Sequence, residues 1–98
     1  NYDTEVAFTD AEIGKVLAAL PENTAVLFVA DHGESLYEHD YVGHGRRIYQ
    51  TCMHIPLIVK GAGVTAGRSD APVRGIDVGP TLLALGGMPK WEGMLGLN

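Results

Sequence analysis

A single cysteine, a single tryptophan and two phenylalanines occur among the 98 residues. With one thiol, Cys52, no internal disulfide can form, so the chain is not a disulfide-stapled scaffold. One cysteine also says little about the redox compartment. Positive charge is scarce: seven Lys and Arg stand against twelve Asp and Glu, for a formal net charge of −5. A nucleic-acid footprint needs a clustered basic face, so nucleic acid is excluded as a partner. An acidic chain can still hold an anionic substrate through a metal and a few local cations. Long apolar runs are missing too. The longest, Ala25 to Ala30, is far short of the roughly 20 residues that a membrane-spanning helix needs. No leader pattern opens the sequence, since Asn1 precedes a charged amphipathic segment. The compartment stays open between periplasmic or secreted and cytoplasmic.

What is present describes one globular unit. Hydrophobic residues at 46%, charged residues at 19% and a mean hydropathy of +0.07 argue against disorder. A chain of this length is at most one domain. It buries only about 60–65% of its unfolded surface, which leaves little margin for folding alone.

The apolar residues Val6, Ile13, Val16, Leu17 and Leu20 recur at helical spacing and predict an amphipathic helix over residues 3–20, ended by Pro21 with a turn at Glu22-Asn23. Gly14 lies near its apolar stripe, where it would let another element approach. Ala25-Val-Leu-Phe-Val-Ala30 is continuously apolar and β-branched, the pattern of a strand buried on both faces in a parallel sheet. Residues 34–50 are polar and read as a helical turn near Ser35–His39 followed by a long functional loop. Ile55-Pro-Leu-Ile-Val59 is a second buried strand, with Pro56 at its start. Val73 to Ile76 reads as extended. Asp77 to Leu85 reads as a helix with Asp77 as N-cap and Pro80 in its first turn, closed by Gly86-Gly87. The order helix, strand, loop, strand, helix is a slice of an α/β sandwich. Two doubly buried strands need more sheet than the chain supplies, so a larger domain is expected, with open sheet edges prone to self-association.

Chemistry concentrates after the first strand. In open α/β sheets ligands gather beyond the carboxyl ends of strands, and Asp31-His32-Gly33 stands there. Asp offers a hard oxygen and His a borderline nitrogen, a pair suited to a divalent cation. The plainer alternative is a strand end where Asp caps the next turn and His packs. Twelve positions on, His44 sits between Gly43 and Gly45. Such a histidine can bind an anion, protonate a leaving oxygen, ligate a metal, or simply face solvent. Arg46 and Arg47 follow; they can contact a sulfuryl or phosphoryl group, although adjacent arginines are more often simply solvated. His39 reads as a surface residue, His54 as structural, and Cys52 as a small buried thiol without an activating neighbour. Gly61-Ala-Gly63-Val-Thr-Ala-Gly67 has the wrong spacing for a dinucleotide fingerprint and leads into no helix.

Taken in order, Val29-Ala-Asp-His-Gly-Glu-Ser-Leu36, Gly43-His-Gly45 and Ile55-Pro-Leu-Ile-Val59 resemble the C-terminal half of the sulfatase family's catalytic domain, within the alkaline phosphatase superfamily. Tyr2-Asp-Thr-Glu-Val6 with Asp10 and Ile13-Gly14, and Ile76-Asp-Val-Gly-Pro-Thr-Leu-Leu83 with Gly86-Gly87, extend the likeness over nearly the whole chain. The resemblance implies an alkaline-phosphatase-like α/β sandwich with a mostly parallel sheet flanked by helices. Residues 1–98 would be a C-terminal fragment of the catalytic domain. It implies hydrolysis of a small-molecule or glycan sulfate ester at one divalent metal, calcium in the first place, with Asp31 and His32 as two ligands. His44 would contact the ester and stabilise the leaving oxygen, with Arg46 also on the substrate. The family nucleophile is a formylglycine made from Cys or Ser in a Cys/Ser-x-Pro-x-Arg motif nearer the N-terminus. Cys52, followed by Met-His-Ile-Pro56, does not match that motif. The remaining metal ligands, upstream in the family, have no counterpart, so the chain alone is expected to be inactive. Two rivals share part of the pattern. One is a phosphoethanolamine or glycerol-phosphate transferase, or a phosphate or phosphonate ester hydrolase, of the same superfamily, with manganese or zinc. The other is a non-catalytic sulfatase-like module.

Overall fold

Asn1 begins the structure by capping a helix: its side-chain oxygen accepts the Asp3 amide at 3.2 Å. The computed structural model describes all 98 residues. Helix α1 runs Tyr2–Ala19, with Asp3 and Glu5 in its first turn, where carboxylates favour the helix dipole. Leu20 is extended and Pro21 cannot continue the ladder, so the helix stops and a turn closes from Thr24 N–H to the Pro21 carbonyl. Gly14 has no other atom within reach of an added Cβ, so no element makes the close approach expected there.

Strand β1, Val26–Val29, is followed by β2 (Ser35–Leu36), a 3₁₀ turn at Glu38–Asp40 and β3 (Val42–Gly43). A one-turn helix α2 (Gln50–Met53), β4 (Leu57–Lys60), a second 3₁₀ turn at Gly75–Asp77 and helix α3 (Val78–Leu85) complete the order. The helical turn expected near Ser35–His39 is instead a two-residue strand and a later 3₁₀ turn, and residues 73–76 form no strand.

Within the chain, the two strands that the sequence places in a parallel sheet do not pair parallel with each other. β1 and β4 pair antiparallel, from Val26↔Lys60 to Val29↔Leu57. A parallel pair is usually joined by a crossover helix; between Val29 and Leu57 the only helices are single turns. The second sheet, β2 with β3, is also antiparallel. Nor are the long strands buried on both faces: Phe28 and Ile58, cross-strand partners, are exposed on the face toward α1. They line a cleft of about 550 Å³ with Val6, Ile13 and Leu17 of α1.

At the far end, Pro80 is buried in the first turn of α3, and Gly87 at φ 68° lets the Met88 amide reach back to the Leu83 carbonyl. Asp77 is not the expected side-chain cap of α3. Its carboxylate accepts from the Arg74 backbone and guanidinium and from the Leu97 amide. These bonds, led by the Arg74 side chain, hold the Asp77 carboxyl down at about 2.

Three residues are buried, Ser35, Cys52 and Pro80. The accessible surface is 8192 Å², where a folded monomer of this mass exposes about 5,400 Å². The radius of gyration is 15.9 Å, against about 12.6 Å for a self-contained domain of this length. No helix is long and apolar enough to cross a membrane.

Candidate active site at the end of β1

The site is assembled where β1 ends. Asp31 and His32 follow the strand, and Gly33 turns the chain hard against α2. The Gly33 amide donates to the Cys52 carbonyl at 2.8 Å, and a Cβ on Gly33 would stand 2.1 Å from the Thr51 carbonyl oxygen. Only glycine allows this approach. One residue past Glu34, Ser35 is completely buried. Its hydroxyl lies 2.7 Å from that of Thr51 and 3.8 Å from the Cys52 sulfur. The Cys52 thiol in turn points to the Gly43 carbonyl at 3.7 Å. Cys52 is thus the buried thiol its sequence context suggested, and it packs the site from beneath.

The pairing Ser35↔Gly43 and Leu36↔Val42 sets β2 beside β3. The turn between them places Tyr37, His39 and Asp40 at positive φ, a strained path that lets two-residue strands reverse direction. Glu38 tightens it by accepting the Leu36 amide at 2.6 Å. Backbone hydrogen bonds, that of Glu38 itself first and that of Leu36 second, hold its carboxyl below the usual range.

His44, immediately after β3, is brought against His32. The two imidazoles stack with centroids 3.9 Å apart and an interplanar angle of 26°. The Tyr41 hydroxyl donates to the His44 carbonyl at 2.9 Å and steadies its backbone. The His32 Nδ1 lies 3.0 Å from the Gly33 carbonyl. A carbonyl only accepts, so Nδ1 carries the proton and Nε2 keeps its lone pair, the form that ligates metals. That Nε2 is 3.7 Å from Asp31 Oδ2, while Asp31 Oδ1 accepts the His32 amide at 3.0 Å. Asp31 and His32 therefore present two donors to one place, close enough for a single cation taking oxygens at about 2.3–2.6 Å. No group of three or more carboxylate, imidazole or thiol ligands gathers anywhere in the chain. Two donors fit a divalent cation but leave most of the about 6–8 that calcium takes to be supplied from elsewhere.

Of the remaining sequence candidates, Arg46 and Arg47 are exposed and form no ion pair with any carboxylate of the chain. His39 stacks on Tyr49, centroids 4.1 Å apart, away from the His32–His44 pair, and His54 closes α2 through its amide. Sequence reasoning passed over Glu34, whose two carboxylate oxygens both lie 3.2 Å from His44 Nδ1. The signal that finds it is register: Glu34 and His44 are the positions one step beyond Ser35↔Gly43, the last pair of the ladder.

Comparison with known proteins identifies the family. The family model described as Sulfatase matches residues 1–88. An uncharacterized sulfatase of Escherichia coli (strain K12), YidJ, is 37% identical over 95 residues, covering 93% of this chain and 19% of its own. Arylsulfatase K of Danio rerio is 37% identical over 106 residues, covering 97% and 19% respectively. Arylsulfatase K of Homo sapiens is 32% identical over 103 residues, covering 99% and 19%. The chain thus spans about a fifth of the length of the curated relatives it matches. No solved structure matches it. With the family model matching most of its length and relatives more than 30% identical along it, the chain belongs to the sulfatase family.

Proposed function

We propose that the chain forms the strand-end half of the active site in a longer sulfate-ester hydrolase, whose nucleophile and remaining metal ligands lie outside these 98 residues. The observation that carries this reading is the stack of His32 on His44. It sets a pair of metal-type donors beside a second imidazole in one place, although twelve positions separate the two rings in sequence. Asp31 and His32 Nε2 hold a divalent cation, calcium by preference, whose charge offsets that of the ester's non-bridging oxygens. His44 approaches the bridging oxygen and supports departure of the alcohol. Arg46, free of any partner in the chain, reaches the sulfuryl group. The substrate class is a small-molecule or glycan sulfate ester. The chain's large exposed surface and uncovered Phe28–Ile58 face support a larger alkaline-phosphatase-like sandwich, in which further strands pair with the open edges of β1 and β4. Without those partners the chain is inactive, and its edges favour self-association.

Turnover of sulfate esters with good and poor leaving groups by the longer protein tests the role of His44. His44→Ala lowers turnover of unactivated esters by about 10²–10⁴-fold and that of activated aryl esters far less. Equal turnover of both by variant and parent sinks the role. Bound metal tests the other half. Asp31→Ala weakens binding beyond the about 10–100-fold that loss of a supporting partner costs, read by metal analysis after dialysis. Unchanged stoichiometry and affinity would remove Asp31 from the ligand set.

A further inference from the structure

Resting on that reading of His44, we infer that Glu34 is its positioning residue: the carboxylate holds the imidazole by Nδ1 and presents Nε2 to the leaving oxygen. Both oxygens of Glu34 lie 3.2 Å from Nδ1. A carboxylate only accepts, so Nδ1 carries a proton that stays with Glu34; in the imidazolium form Nε2 carries the second proton, the one given to the leaving oxygen. An imidazole aimed by a third group is the general arrangement for proton transfer at a reacting oxygen.

The backbone makes this contact a built one. The ladder ends at Ser35↔Gly43; continued by one residue, its register brings Glu34 opposite His44, and directly opposed side chains lie about 4.5–5.5 Å apart at Cβ. Glu34 cannot drift, because Ser35 beside it is buried and hydrogen-bonded to Thr51. His44 cannot drift either, held by the Tyr41 hydroxyl on its carbonyl and by the His32 ring on its face. The Glu34 side chain is about a quarter exposed, at 26%, against 48% for His44. The carboxylate is thus the more shielded of the two groups and the ring the more open to solvent. The stacked partner obeys the same rule. His32 has Nδ1 3.0 Å from the Gly33 carbonyl, so in both imidazoles Nδ1 is engaged and Nε2 is left for another partner. One is poised for a cation and the other for the ester oxygen.

The experiment compares Glu34→Ala, Glu34→Gln and His44→Ala in the full-length sulfatase, over esters of graded leaving-group basicity. Loss of aim misplaces the ring, and a misplacement of about 1 Å costs about 10²-fold. Glu34→Ala is expected to lower kcat on poor leaving groups by about that factor with KM little changed. Glu34→Gln, whose amide oxygen still accepts Nδ1–H, is expected to restore most of the loss. Ring ¹⁵N shifts of His44 give a readout independent of turnover: Nδ1 protonated in the parent and in Glu34→Gln, mixed tautomers in Glu34→Ala. Wild-type kcat in Glu34→Ala alongside an impaired His44→Ala removes Glu34 and leaves His44 standing. A Glu34→Gln variant as slow as Glu34→Ala, or a parent His44 protonated on Nε2 alone, also overturns the assignment. A silent His44→Ala removes the leaving-group role itself and this refinement with it.

Discussion

Helix α1 and the segment from Asp31 to Met53 solve opposite problems. α1 is long and regular, yet none of its residues is buried. The segment from Asp31 to Met53 has only two-residue strands, a strained turn and one turn of helix, yet it holds two of the chain's three buried residues, Ser35 and Cys52. Regularity here does not bring burial. The irregular backbone marks the place where the chain fixes its own geometry. Its means are polar: a glycine packed on a carbonyl, two hydroxyls in contact and a thiol on a carbonyl. Hydrogen bonds of this kind are directional, which suits the placing of two imidazoles better than apolar packing does.

The strongest way to break this contrast is Gly33→Ala. The new Cβ would meet the Thr51 carbonyl oxygen at 2.1 Å and the Cys52 Cα at 3.3 Å. Both are backbone atoms, so α2 and the strand end must part. The Gly33–Cys52 hydrogen bond of 2.8 Å is then lost. Overpacking costs about 1–3 kcal/mol, and displacement of His32 relative to His44 adds about a 10²-fold fall in turnover. Helical circular dichroism from α1 stays as it was. If activity and stability survive, the tight approach is not what holds the site.

Ser35→Ala is the next largest test. Thr51 loses the hydroxyl 2.7 Å away, and an orphaned polar group costs about 1–3 kcal/mol. Thr51 is only partly buried, so the lower end of that range is expected in denaturant unfolding of the parent protein. The double variant Ser35→Ala/Thr51→Val, which removes both hydroxyls, recovers part of the loss. Strict additivity of the two single changes would show that the pair does not act as a unit.

Much of the regular structure was legible in the sequence because its causes are local. The period of Val6, Ile13 and Leu17 with Pro21 bounds α1, and β-branched runs place β1 and β4. Strand direction was not legible. It depends on whether the intervening chain crosses over, and the short pieces between Val29 and Leu57 gave no periodic sign of that. Asp31, His32 and His44 were readable as chemistry, by a strand end and by flanking glycines. Glu34 was not, because its partnership exists only through the register of two-residue strands, too short to show alternation. Asp77 misled for a related reason. As a local signal it is an N-cap, but its partners include the amide of Leu97, twenty residues away.

That distant clamp gives a smaller test, confined to the α3 end. Arg74 and Leu97 lower the Asp77 carboxyl from 3.8 to about 2 in the folded protein. A group with a depressed folded value contributes stability in full above its unfolded value, and the contribution is lost as pH falls through the folded one. The Asp77 contribution is therefore complete above 3.8 and gone below about 2. Carboxyl ¹³C titration should place Asp77 near the lower value, and Arg74→Ala should move it back toward 3.8. An unmoved titration would assign the shift to the Leu97 amide and the Arg74 backbone amide. The imidazole stack should not notice this change at all, which separates the α3 end from the site.

The smallest expected effect sharpens the reading of α1 as open surface. Gly14 sits mid-helix with nothing within 4 Å of an added Cβ. Glycine there costs about 0.5–1 kcal/mol relative to alanine through unfolded-state entropy and exposed backbone. Gly14→Ala should therefore raise stability by about that amount, seen as a higher denaturant midpoint at unchanged slope. The sign is the informative part. A gain means that the Gly14 face of α1 stays open in the assembled protein. A loss means that another element closes on the helix at Gly14, and that the small residue is kept for its approach as Gly33 is kept for that of Thr51. The two glycines would then obey one rule, and the contrast between the regular and irregular halves of the chain would reduce to which partner is already in place.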